Sequence, residues 1–160
     1  MRADESVTDK VSSGFDALRV AARSRTAIVA TVDVSEVRSE LALDGAWVHT
    51  VFRGTVARVH RMGPDVERRH RIQSGEHIEF HVSGGQVNIN HVVVKAVPVV
   101  PFPTARQYLV FLSSKQVEHG WSVTSTTPLL VEGESFVAVP PAVSSMSGLN
   151  SGDLRRAIRR

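Results

Sequence analysis

The sequence predicts an all-β body, a small antiparallel and partly open barrel, with a helix at its N-terminal end and a short helix at its C-terminal end. Three observations carry this. From residue 27 to residue 139 apolar residues recur at every second position in a series of short runs, the period of a strand with one buried face. Turn residues separate the runs, with Asp44-Gly45, Gly63-Pro64 and Gly84-Gly85 as the clearest breaks. Helical spacing of apolar residues occurs only near the two ends.

Taken in order, residues 1–7 are polar and aperiodic and are expected to form a disordered tail, with residues 8–160 as a single domain. A helix can start at Thr8 or Asp9 as cap, and Val11, Phe15, Leu18 and Ala22 then form one stripe. The period next changes to two. In "AIVATVDVSEV", Ile28, Ala30, Val32 and Val34 point one way while Val29, Thr31, Asp33 and Ser35 point the other, the pattern of a half-buried strand. After the turn in "LDGAW", the strand "WVHTVFRGTVARVH" places Val48, Thr50, Phe52 and Val56 inward. Gly54 in its middle marks a bulge or tight bend of the kind a small barrel needs.

"RMGPDVERRHRIQSG" is polar and reads as a connection. "EHIEFHV" alternates again, with Ile78, Phe80 and Val82 inward. "AVPVVPFPTA" holds too many prolines for a central strand and is expected as an extended apolar loop on the surface. "QYLVFL" is apolar on both faces and is therefore central, and "GWSVTSTT" and "ESFVAV" add further strands. Asn150 or Ser151 caps the closing helix "DLRRAIRR", whose stripe is Leu154, Ala157 and Ile158. Antiparallel strands with short turns close economically into a barrel or sandwich, and the glycine within the second strand favours a partly open OB-like barrel.

Residues 75–91, "GEHIEFHVSGGQVNINH", hold three histidines and look most like a site. On a helix, His77 and His81 would stand one turn apart and could share zinc, as in H-E-x-x-H. The alternation of Ile78, Phe80 and Val82 makes the segment a strand instead. Residues four apart on a strand are separated by roughly 13 Å, too far for two metal ligands of about 2 Å reach. A hairpin about Gly84-Gly85 accounts for the same letters: Glu79 faces Asn90 and His81 faces Asn88. One face is then wet, with His77, Glu79, His81, Asn88 and Asn90. The other, with Ile78, Phe80, Val82, Val87 and Ile89, is core.

No run of eighteen apolar residues is present, and the longest apolar stretch is interrupted by Lys95, Pro98 and Pro101. The chain has no cysteine, which removes disulfides, thiolate metal sites and thiol nucleophiles. G-x-S-x-G, Walker, G-x-G-x-x-G and H-E-x-x-H motifs are absent from the sequence. The reading that follows is of a protein that is not an enzyme, with no catalytic residues, no cofactor and no metal.

The net charge of +3 is modest but unevenly placed. Arg53, Arg58, Arg61, Arg68, Arg69 and Arg71 fall in one stretch, and Arg155, Arg156, Arg159 and Arg160 close the chain. An OB barrel binds oligonucleotides with basic and aromatic groups on its second and third strands. Trp47, with Trp121 behind it, is the ring available for stacking, because Phe52, Phe80, Tyr108 and Phe111 are wanted inside. Trp47 and the arginines of 53–71 are thus the candidate binding residues, with solvated loop charge as the simpler account of the arginines.

Several pieces together resemble a family of bacterial domains of undefined function, usually exported, whose OB-like barrel is loosely comparable to the tissue inhibitors of metalloproteinases. The pieces are "AIVATVDVSE", "WVHTVFRGTVARV", the strand ending in "SGG", "ARQYLVFL", "LLVEGESFVAV" and the closing "LRRAIRR", over roughly residues 17 to 160. The resemblance implies an extracytoplasmic module and brings no catalytic residues. The first thirty residues lack the charged, apolar, small-residue order of a secretory signal. The inhibitors' mechanism relies on an N-terminal cysteine, which this chain lacks. The leading expectation is a non-catalytic β-barrel module that contacts another protein; the alternative is an OB-type binder of single-stranded nucleic acid using the arginines of 53–71.

Overall fold

A computed structural model describes residues 13–41, 47–67, 71–97, 99–116, 120–123, 128–139 and 144–159. The expected tail, the proposed caps Thr8 and Asp9, the Asp44-Gly45 turn, and Arg68 and Arg69 lie outside them. Helix α1 covers 13–22 and is followed by strands β1 (Ile28–Leu41) and β2 (Val48–Met62), then the single turn α2 (Pro64–Glu67). Strands β3 (His77–Ser83), β4 (Gly85–Ile89), β5 (Val92–Ala96), β6 (Arg106–Gln116), β7 (Gly120–Val123), β8 (Leu129–Glu132) and β9 (Ser135–Val137) come next. Helix α3 (Ser151–Ile158) ends the order. The expected architecture is present: a mostly antiparallel β body between two terminal helices.

Five strands close on themselves. The order runs β1-β2-β3-β7-β6, and β6 pairs with β1 again. All these pairings are antiparallel except β3–β7, which is parallel and is made by Phe80↔Trp121 and His81↔Ser122. That short seam is what leaves the ring partly open. β6 carries β1 along one edge and β8 and β7 along the other, with β9 outside β8.

Alternation fills the ring. Ile28, Ala30, Val32 and Val34 of β1, Phe52 and Val56 of β2, and Ile78 and Phe80 of β3 are buried in one cluster with Tyr108, Val110 and Leu112 of β6 and Trp121 of β7. The Phe52 and Phe80 rings stack at 4.7 Å, and Phe102 and Tyr108 meet Phe52 edge-on at 5.0 and 5.6 Å. The proline-rich segment is therefore only partly on the surface as expected. Val97 and Val99 are exposed, but Phe102 enters the core, where an aromatic ring gains more from burial than the extended backbone loses.

A second core lies outside the ring. Val29, Leu109 and Phe111, on the outward faces of β1 and β6, pack with Leu18 and Ala22 of α1, Leu154 and Ala157 of α3, and Phe136, Met146 and Leu149. Val29 thus departs from the half-buried reading of β1, because the two helices cover that face. "QYLVFL" is apolar on both sides for the same reason. Arg61 Nη1 donates to the carbonyls of Ala22 and Ser24 at the end of α1, and Arg23 Nε donates to Ala157 O of α3 at 2.8 Å. Asn150 caps α3 in a capping box: Asp153 N–H donates to Asn150 Oδ1 and Asn150 N–H donates to Asp153 Oδ2.

The Gly84-Gly85 hairpin is not formed. β3 pairs with β2 in the register Phe52↔Phe80, and β4 pairs with β5 in a separate two-stranded ribbon turned at Asn90-His91. Those two residues have φ of 49° and 68°, the positive values a tight primed hairpin turn requires. Glu79 consequently faces Arg53 instead of Asn90, and His81 faces Val51 and Ser122 instead of Asn88. Stacking Phe80 on Phe52 buries far more apolar area than pairing β3 with an asparagine-bearing strand. The glycine pair serves as the exit: Thr50 Oγ1 donates to Gly84 O at 2.8 Å, and a Cβ on Gly85 would lie 2.6 Å from Ser39 Oγ.

Candidate functional site

β2 carries Arg53, Arg58 and Arg61, with Trp47 at its start, and its two ends differ in chemistry. Its middle, with β1 and β3, carries an ion-pair lattice. Arg38 donates to Glu40 Oε1 at 2.5 Å, to Glu36 Oε1 at 3.1 Å and to Glu79 Oε1 at 3.3 Å. Arg53 donates to Glu79 Oε1 at 3.1 Å and stands 3.8 Å from Glu36 Oε2. The hydrogen bond to Glu40, more than any other contact, raises the Arg38 pKa above its usual value. Among the described residues this lattice sets two guanidinium groups against three carboxylates, so the charge of Arg53 is already engaged by Glu36 and Glu79.

Beside the lattice, Thr55 Oγ1 and His77 Nδ1 are 3.1 Å apart across the β2–β3 pair. His77 and Glu79 lie on a solvated face as expected, whereas His81 is buried, its ring edge-on to His49 at 5.0 Å. His77 and His81 sit on a strand and do not converge. Among the described residues no group of three histidine or acidic side chains gathers into a metal site.

At the start of β2, Trp47 is 44% exposed and its indole N–H donates to Ser83 Oγ, at the root of the β4–β5 ribbon. The ribbon pairs Val87 with Val94 and Ile89 with Val92 on one face. Val92 is 61% exposed, and Ile89, Val93, Val97 and Val99 are exposed with it. The expectation that Val87 and Ile89 belong to the core is thus overturned at Ile89, and Val87 is only half-buried, because their strand leaves the barrel. Neither outer edge of the ribbon is paired to another strand among the described residues. Sequence reasoning missed this surface. Its signal was the alternation of Val87, Ile89, Val92 and Val94 about Asn90-His91, two residue types that take positive φ more often than most side chains do.

At the far end of β2, Arg58 and Arg71 are exposed and His60 is half-buried, its Nε2 2.8 Å from Thr31 Oγ1. Burial first, and Arg58 second, hold the His60 pKa below its usual value. Arg61 is committed to the α1 carbonyls. The cluster of 53–71 is therefore divided: Arg53 in the lattice, Arg61 in the fold, Arg58 and Arg71 at an open groove. Trp121 is buried in the ring and is no stacking platform.

No family model matches the chain, and comparison with curated proteins and with solved structures found no match. Among the described residues no helix is long and apolar enough to cross a membrane.

Proposed function

We propose that this chain is a non-catalytic β-barrel module that docks another protein through the β4–β5 ribbon and Trp47. The observation that carries the reading is the ribbon itself, which holds two exposed valines and an isoleucine on strands whose outer edges pair with no other strand among the described residues, beside an exposed tryptophan. Ile89 and Val92 lie on one face of the ribbon and Val93 on the other. Exposed apolar side chains of this kind cost solubility unless a partner covers them, and strand edges left unpaired among the described residues offer a partner main-chain hydrogen bonds. The five-stranded, partly open ring supports an OB-like reading of the barrel. The hydrophobic pattern of roughly residues 17 to 160 supports placing the chain with the usually exported barrel family described above.

The test is affinity capture with cross-linking, comparing the wild-type chain with Trp47→Ala and Val92→Asp. A discrete partner recovered by the wild type and lost from both variants, with their melting temperatures unchanged, supports the reading. Equal recovery by all three removes the ribbon from it.

The second reading is single-stranded nucleic-acid binding through the arginines of 53–71, favoured by the open groove at Arg58 and Arg71. Against it stand the carboxylates around Arg53 and the confinement of exposed large aromatics, among the described residues, to Trp47. Titration with a short single strand at two salt concentrations separates the two: an affinity that falls steeply with salt favours nucleic acid, and no binding leaves the protein-docking module.

A further inference from the structure

Two irregularities interrupt the β1–β2 ladder near its end. Thr31 pairs with Arg58 but Val32 pairs with Val56, which leaves Ala57 over; Ala30 pairs with Val59 but Val29 pairs with Arg61, which leaves His60 over. Each extra residue bends the strand and re-aims its neighbours, a device found beside binding sites. The segment 71–76 forms the opposite wall, held to β2 by Gly75 N–H donating to Val56 O at 2.7 Å and Val56 N–H donating to Glu76 O at 2.9 Å. Between them lies a groove of about 540 Å³, within the size range of small-molecule sites.

The charge of this groove is one-sided. Arg58, Arg61 and Arg71 line it together with His60, Gln73 and Ser74, and no carboxylate does among the described residues. No hydrogen bond or ion pair joins the Arg58 guanidinium to another described residue. Arg53, in the middle of the same strand, is paired with Glu36 and Glu79 instead. Apart from the His60 imidazole no aromatic ring lines the groove among the described residues, so it offers a base little stacking area beside its charge. Val59, Met62 and Ile72 supply an apolar wall for an organic portion.

We infer that this groove binds a phosphorylated small molecule, its dianionic group held by Arg58 and Arg71 with the Ser74 hydroxyl as donor and His60 alongside. Guanidinium groups bind phosphate oxygens with paired, charge-assisted N–H bonds, and a hydroxyl adds a neutral donor. A neutral His60, fixed by Thr31, adds a hydrogen-bonding ring without a further charge to desolvate. This site lies roughly 30 Å along β2 from the ribbon, counting about ten residues at 3.3 Å each, and does not depend on docking there.

The test is a titration of the full chain with ribose 5-phosphate, with inorganic phosphate and with a short oligothymidine, read by NMR at His60 and Ser74. Saturable shifts with the sugar phosphate are expected, with inorganic phosphate binding the same residues more weakly. The His60 pKa rises on binding because the dianion offsets Arg58. Arg58→Ala and Arg71→Ala each weaken binding by about tenfold or more, while Arg155→Ala leaves it unchanged. Absence of saturable shifts, equal shifts in the Arg58 and Arg71 variants, or tighter binding of oligothymidine at the same residues each overturns the inference. The last outcome would assign the groove to nucleic acid.

Discussion

Gly54 and Asp33 touch across the first hairpin: a Cβ on Gly54 would lie 2.3 Å from the Asp33 carbonyl oxygen and 2.8 Å from Val32 Cγ1. Gly54 pairs with Val34 where the β1 register shifts before Glu36, so this contact is the corner at which the ring bends. Gly54→Ala forces the two backbones apart and should cost about 1–3 kcal/mol, the usual penalty of overpacking. Urea denaturation checks it. A variant as stable as the wild type would mean that the corner has room to spare.

Tyr108 donates its hydroxyl proton to Pro103 O at 2.5 Å, and burial pushes its pKa up to about 12. It is the one tyrosine in the chain, so its absorbance titration is unambiguous. In the unfolded chain it ionises near pH 10, at its ordinary value. The folded pKa is the higher of the two, so its stabilisation is complete below pH 10 and disappears as pH rises towards about 12. Tyr108→Phe should cost about 1 kcal/mol at neutral pH and flatten that alkaline loss. A titration midpoint at pH 10 in the folded chain would contradict the buried hydroxyl.

Removing Arg38 leaves Glu36 and Glu79 with Arg53 as their remaining partner in the lattice and takes from Glu40 its 2.5 Å contact. Arg38→Gln should lower stability by about 0.5–1 kcal/mol at low salt, with most of the difference gone in 1 M salt. Thermal melts at two ionic strengths read both numbers, and a salt-independent loss would point to packing by the Arg38 stem instead of charge.

Leu154 is buried in the outer core while Ile158, one turn on, is only partly so. Leu154→Ala should cost about 2–5 kcal/mol and Ile158→Ala clearly less. Asn150→Ala, which removes the cap of the same helix, should cost about 1 kcal/mol. Equal small effects at all three sites, measured by chemical denaturation, would mean that α3 adds little to the fold.

Local pattern carried much of this architecture. Ile28, Ala30, Val32 and Val34 announced the inner face of β1, Gly54 its bend, and Asn150 the cap of α3. Three features were hidden for a physical reason, since each depends on contacts distant in sequence. Val29 looked solvated because nothing nearby says that α1 and α3 fold over it. His81 was placed on a wet face because its burial is a property of the assembled sheet. The Gly84-Gly85 pair looked like a turn because a glycine pair favours positive φ in a hairpin and in a strand exit alike, and only the Phe52–Phe80 stack decides between them. The arginine cluster was legible as a cluster, but its division among lattice, scaffold and groove was not, because Glu36 and Glu79 meet Arg53 only once β1, β2 and β3 are side by side.

The proposed docking surface requires that β4 turn back at Asn90-His91 and leave β3 to close the ring. Cross-strand nuclear Overhauser effects decide this directly. The account predicts contacts between Asn88 and Val93, between Val87 and Val94, and between Phe80 and Trp121. Contacts between Glu79 and Asn90 and between His81 and Asn88, with none from Asn88 to Val93, would return Val87 and Ile89 to the core and contradict it.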